Sequence, residues 1–140
     1  MKRFQLFFAF ALLLSFFASE STVFAQNEPV MYFCDKFGRN GAVGISDRRT
    51  TGYLTIVVKS DYVMGLDDVA IQFDKYNCRK GEFEYYEKFY YSVDPVMKLI
   101  FLEKNEKSDM KFKDPGIYRV LLLDDRDKTV ASALIEISYY

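Results

Sequence analysis

Asp114-Pro115-Gly116-Ile117-Tyr118-Arg119-Val120-Leu121-Leu122-Leu123 is the stretch that decides the fold. Asp-Pro-Gly breaks the preceding chain and turns it. From Ile117 onward the run is apolar on both faces except for Arg119, the pattern of a strand that lies inside a sheet rather than at its edge. A charged turn at 124–128 follows, and 129–139 alternates apolar and polar residues, the pattern of a last strand paired back on the first.

Working backwards, period-two alternation predicts strands at 30–33, 53–59, 69–74, 83–93 and 97–102. Gly38-Arg39-Asn40-Gly41 is a hairpin signal, because Asn-Gly suits a turn whose two central residues take positive φ. Residues 42–45 are expected as the return strand, with a polar loop at 46–52. In 83–93 the odd positions Phe83, Tyr85, Phe89, Tyr91 and Val93 read as the core face, and Glu82, Glu84, Tyr86, Lys88, Tyr90 and Ser92 as the solvent face. Glu87 interrupts the inner series, so a bulge or a break is expected there. Helical spacing never holds over ten residues. Seven or eight strands with turn signals between them predict an all-β antiparallel sandwich, with a small barrel as the alternative closure.

Of the 140 residues, 1–25 read as a secretory signal peptide. Lys2 and Arg3 supply the positive end, an apolar run follows, and Val23-Phe24-Ala25 is a small-x-small cleavage site. Residues 26–140 are then one domain. No second long apolar run exists, so no transmembrane segment is expected after cleavage. Losing Lys2, Arg3 and Glu20 leaves 17 basic and 19 acidic residues, net −2, which offers no lure for nucleic acid. The expected setting is the periplasm or the exterior of a bacterium.

Cys34 and Cys78 are the two cysteines of a chain bound for an oxidising compartment, and one structural disulfide between them is expected. It would close a 45-residue loop and contribute at most about 4 kcal/mol.

Asp114, Gly116 and Tyr118, in the order D-x-G-x-Y, resemble the tyrosine corner of immunoglobulin-like domains. The resemblance implies an immunoglobulin-like sandwich, with 117–123 as strand F, 129–139 as strand G, and the Tyr118 hydroxyl bonded to backbone just upstream. Antibody domains carry a cysteine two residues after this tyrosine, where this chain has Val120. The inter-sheet disulfide of that family is therefore absent, and by this resemblance Cys34 and Cys78 would join the first strand to the loop after residue 74. A fold of this kind does not by itself carry a function.

No catalytic residue is assigned, and the chain is expected to be non-enzymatic. There is no histidine, which removes Ser-His and Cys-His chemistry and histidine-bound metals. Glu82, Glu84, Glu87 and Asp94 are candidates for glycoside hydrolysis only in the sense of being present, since that chemistry needs two carboxyls set across a cleft. Asp124, Asp125 and Asp127 lack the spacing of a calcium loop and read as a charged turn. No metal and no cofactor is expected.

Two candidate binding features remain. Tyr86, Lys88 and Tyr90 would form an amphipathic stripe on one strand, suited to a protein or a glycan; the competing reading sends these rings into the core. Arg48 and Arg49 could jointly hold an anion, or simply pair with acidic neighbours such as Asp47. The functional expectation is an exported, non-catalytic binding module for a protein or glycan partner. The alternatives are a self-associating subunit of a cell-envelope assembly, as a homodimer for example, and a small outer-membrane barrel suggested by the aromatic end Tyr139-Tyr140.

Overall fold

A computed structural model describes residues 27–50, 54–103, 112 and 114–139. The expected signal peptide, most of the charged connection at 103–113, and Tyr53 and Tyr140 lie outside the described residues. Ten strands appear: β1 Val30–Cys34, β2 Lys36–Gly38, β3 Gly41–Val43, β4 Arg48–Thr50, β5 Thr55–Lys59, β6 Asp68–Asn77, β7 Glu82–Ser92, β8 Leu99–Glu103, β9 Gly116–Leu123 and β10 Thr129–Ser138.

They form a three-stranded sheet, β1-β5-β8, facing a five-stranded sheet, β4-β10-β9-β6-β7, with β2-β3 as a separate hairpin. All pairings are antiparallel except β4 with β10. In immunoglobulin terms β1-β5-β8 is the A-B-E sheet, and β10-β9-β6-β7 is the G-F-C-C′ order of the variable type. The fold is thus an all-β, immunoglobulin-like sandwich. Both sheets are open, with edges at β1, β8, β4 and β7, so the described strands do not make the barrel weighed above.

The core lies between the sheets because each strand turns one face inward. Met31, Phe33, Ile56, Val58 and Ile100 come from the small sheet. Val69, Ile71, Phe73, Tyr118, Val120, Leu122, Ile135 and Ile137 come from the large one. β9 is central, as its two-sided apolar pattern predicts, with β10 on one flank and β6 on the other. Val120, which stands where antibody domains have a cysteine, is fully buried.

The start of β9 is fixed by Tyr118. Its hydroxyl donates to the Asp114 carbonyl at 2.7 Å. Its ring meets Phe112 and Tyr86 edge-on at 4.9 and 5.2 Å between centroids. Gly116 takes φ +149, a conformation that a side chain resists, and a Cβ there would stand 3.0 Å from Lys75 Cε. The G-x-Y part of the motif therefore has a physical basis: Gly116 makes the turn and Tyr118 supplies the donor, while the acceptor is the backbone carbonyl at position 114.

Three expectations need correction. The Asn-Gly turn joins β2 to β3, not the first strand to its return, because β1 pairs with β5 instead. The loop at 46–52 contains a short strand, β4, which extends the large sheet alongside the end of β10. The expected bridge is not formed: Cys34 and Cys78 are both free thiols, one buried at the end of β1 and one exposed in the β6–β7 turn of the other sheet.

Burial pushes the Tyr118 hydroxyl well above its ordinary range, with Tyr86 and Asp114 acting in the same direction. The folded chain therefore holds this proton more tightly than the unfolded chain does. That stabilisation is complete below about pH 10 and is lost as pH rises beyond it. Tyr118→Phe is expected to lower the unfolding free energy in urea by about 1–2 kcal/mol at neutral pH. It should also flatten the fall in stability above about pH 10.

Candidate functional site

The outer face of the five-stranded sheet is built by alternation. On β9, Tyr118, Val120 and Leu122 point into the core, leaving Ile117, Arg119, Leu121 and Leu123 outside. The register then places Leu134 of β10 beside Arg119, Asp74 of β6 on its other side, and Tyr85 of β7 beyond that. The next row outward along β6 and β7 holds Gln72 and Lys88, and the one after holds Ala70 and Tyr90.

β7 carries the expected irregularity, and it does more than interrupt a pattern. The register slips between Phe73 and Asp74 of β6, so that Glu87 faces Phe73, Tyr85 faces Asp74, and Tyr86 is the extra residue. One inserted residue reverses which side chains point outward from there on. After the bulge, Phe89, Tyr91 and Val93 pack on the core, as the alternation predicts. Before it the faces are exchanged. Tyr86 turns inward against Tyr118, Tyr85 turns outward and is 66% exposed, and Phe83 lies under the Arg119 guanidinium at 4.8 Å.

The stripe Tyr86, Lys88, Tyr90 is therefore not a single exposed surface. Tyr90 is exposed at 77%. Lys88 lies largely buried, reaching across the sheet to the Asp127 carboxylate, with its ammonium 5.5 Å from the Tyr90 ring. Hydrogen bonding to Asp127 pushes the Lys88 ammonium pKa up. Its charge is engaged within the fold rather than offered to a ligand.

Arg48 and Arg49 also part company. They are neighbours on a strand and so face opposite sides. Arg48 is outward, 81% exposed, with Nε 3.1 Å from Glu136. Arg49 is inward, with 13% of its side chain exposed, bonded to the Asp35 carboxylate and the Gly44 carbonyl. Each guanidinium has its own carboxylate, and the two do not converge on one anion.

The centre of the outer face is a fixed arginine. Asp74 is buried; its Oδ2 accepts from Arg119 Nη2 at 2.8 Å and from Nε at 3.3 Å, while Oδ1 accepts from Gln72 Nε2 at 2.8 Å. Such two-point pairing holds a guanidinium flat and in place. Beside it stand Tyr85, Ile117 and Leu134, all exposed, while exposed Tyr90 lies two rows further along β7, past Lys88. Sequence reading missed Tyr85, Arg119, Leu134 and Ile117. The signals were Glu87 in an aromatic run and a lone arginine in an apolar strand.

At one end of this face, a cleft of about 500 Å³ is lined by Ala70, Tyr90, Tyr91 and four aspartates, Asp68, Asp124, Asp125 and Asp127. Asp124 Oδ1 accepts from the backbone N–H of Arg126 and of Lys128, which closes the β9–β10 turn. No group of three or more acidic or cysteine side chains suited to a metal ion occurs among the described residues.

Removing the buried partner of the central arginine should cost more than removing an exposed one. Asp74→Ala is expected to destabilise the fold by about 1–3 kcal/mol, because it strands Arg119 and Gln72. Arg48→Ala should leave the urea midpoint unchanged within error, since its pairing with Glu136 lies in solvent. Equilibrium unfolding of the two variants side by side checks this.

No family model matches the chain, and no curated protein matches it. Among solved structures it is similar to an immunoglobulin-like protein from Pseudomonas aeruginosa, at 10% identity and a TM-score of 0.45, over 81% of this chain and 99% of that one.

Proposed function

We propose that this chain is an exported, non-catalytic module of a bacterial envelope that binds a protein partner through the outer face of β10-β9-β6-β7. The observation that carries the reading is the grouping of exposed Tyr85, Ile117 and Leu134 around an arginine held in place by a buried carboxylate, with exposed Tyr90 further along the same face. Tyrosine and arginine are the side chains that dominate binding energy at protein interfaces, because they bring large contact area at low conformational cost. Fixing Arg119 in advance removes part of the ordering penalty that binding imposes.

The branched aliphatic side chains Ile117 and Leu134 favour a protein over a glycan, since they offer shape and apolar area but no hydrogen bonds to sugar hydroxyls. The charges on the face are matched locally: Arg119 with Asp74, Lys88 with Asp127, Arg48 with Glu136. It therefore does not rely on net charge to attract its partner. Export rests on residues 1–25, and the absence of histidine and of any nucleophile–base pair in the sequence supports a non-catalytic role.

The reading is tested by placing a photo-crosslinking phenylalanine analogue, one position at a time, at Tyr90, at Leu134 and at Val43 of the hairpin, in cells that make the protein. A discrete adduct is expected from Tyr90 and Leu134, absent from Val43, and abolished by Arg119→Glu. Adducts that form equally from all three positions, or from Val43 alone, contradict it.

A further inference from the structure

The small sheet also has an outer face, and it is covered in part. Alternation on β1, β5 and β8 sends Met31, Phe33, Ile56, Val58 and Ile100 into the core. That leaves Tyr32, Cys34, Thr55, Val57 and Phe101 on the side away from it. On it Cys34, Thr55 and Val57 are buried, whereas Phe101 is 48% exposed and Val30, at the start of β1, is exposed. Folded onto this face is the β2–β3 hairpin, whose Phe37 ring stacks on Phe101 at 5.3 Å between centroids.

The hairpin is joined to the sandwich by few contacts. It forms its own two-stranded sheet and adds no strand to either of the others. Beyond the ring stack, the Thr55 hydroxyl donates to the Asp35 carbonyl at 3.4 Å. The other ties among the described residues are at its base, where the Ser46 backbone N–H donates to the Phe33 carbonyl at 3.1 Å and Arg49 holds both limbs. Arg49, reaching inward from β4, grips the Asp35 carboxylate on the entering limb and the Gly44 carbonyl on the leaving limb. Gly44 is required there: it takes φ +67, and a Cβ would fall 1.8 Å from Asp35 Oδ2. The grip is incomplete, since Arg49 Nε is buried with no hydrogen-bond partner among the described residues. A segment that pairs with neither main sheet and whose polar ties among the described residues gather at its base belongs to the low-stability end of a fold.

We infer that the β2–β3 hairpin is a hinged cover that opens on the intact sandwich, with Arg49 as its latch, and that opening uncovers, on the outer face of the small sheet, Cys34, Val57 and the side of Phe101 on which Phe37 stacks. The moving part runs from Asp35, whose N–H donates to the Val43 carbonyl, to Gly44, and Arg49 ties both of its ends to the sandwich. Cys34, buried at the edge of that face, is a built-in reporter, since a thiol reagent reaches it only when the cover lifts. The inference concerns a different sheet from the proposed binding face and stands or falls independently of it.

The experiment uses the full chain carrying Cys78→Ser, which removes the exposed thiol. The rate of Cys34 reaction with an aromatic disulfide reagent is measured across urea concentrations below the unfolding transition. Local opening exposes little surface, so the rate should stay nearly flat with urea, whereas reaction through global unfolding climbs with the full unfolding slope. Arg49→Gln should raise the rate about tenfold or more, the loss expected when a charged hydrogen bond is removed. Phe37→Ala, which touches only the cover, should also raise it severalfold while leaving the urea midpoint in place. A rate that follows the global unfolding slope, or variants that speed labelling only as far as they lower the midpoint, overturns the inference.

Discussion

The bond from the Tyr118 hydroxyl to the Asp114 carbonyl is the constraint on which the rest of the sandwich depends. It fixes where β9 begins and which way its first side chain points. β9 is the middle strand of the large sheet, so its phase sets the phase of β10 and β6 through their shared register. With Tyr118 inside, Val120 and Leu122 follow it into the core and Arg119 is placed outside, opposite Asp74. A slip of one residue would put the guanidinium between the sheets and Tyr118 in water. Burial of charge on one side and loss of a large apolar ring on the other make that register prohibitive.

The second constraint is the inserted residue in β7. An eleven-residue strand at a sheet edge, with regular alternation, would be an open invitation to pair with another chain. The bulge breaks that regularity, and Glu82, Glu84 and Glu87 add charge along the strand. It also brings Tyr86 under Tyr118 and releases Tyr85 to the outside. The core aromatic cluster and the exposed aromatic face are thus products of one local event.

Much of this was legible in the residues. The two-sided apolar run at 117–123 marked a central strand, and D-x-G-x-Y marked the corner, because both depend on local chemistry that sequence records directly. Periodicity located β5, β6, β7, β8 and β10 for the same reason. What it could not supply was the phase of β7 on the far side of Glu87. That phase depends on which residue of β6 the strand meets, a non-local fact. Arg48 and Arg49 were adjacent in sequence, and only the placing of β4 beside β10 shows that they point apart. Cys34 and Cys78 were paired by compartment and count, whereas one thiol ends β1 in the small sheet and the other lies in the β6–β7 turn of the large one. Hairpin β2–β3 carried the right turn signal, but what it folds onto is tertiary and left no local mark.

The central claim is that the bulge exchanges the roles of neighbouring tyrosines on β7. Mild nitration of the native chain followed by peptide mapping tests it most directly. Modification is expected at Tyr85 and Tyr90, with Tyr86 and Tyr118 protected. Tyr86 modified together with Tyr90 while Tyr85 stays protected would mean that unbroken alternation holds along β7, and would contradict the account.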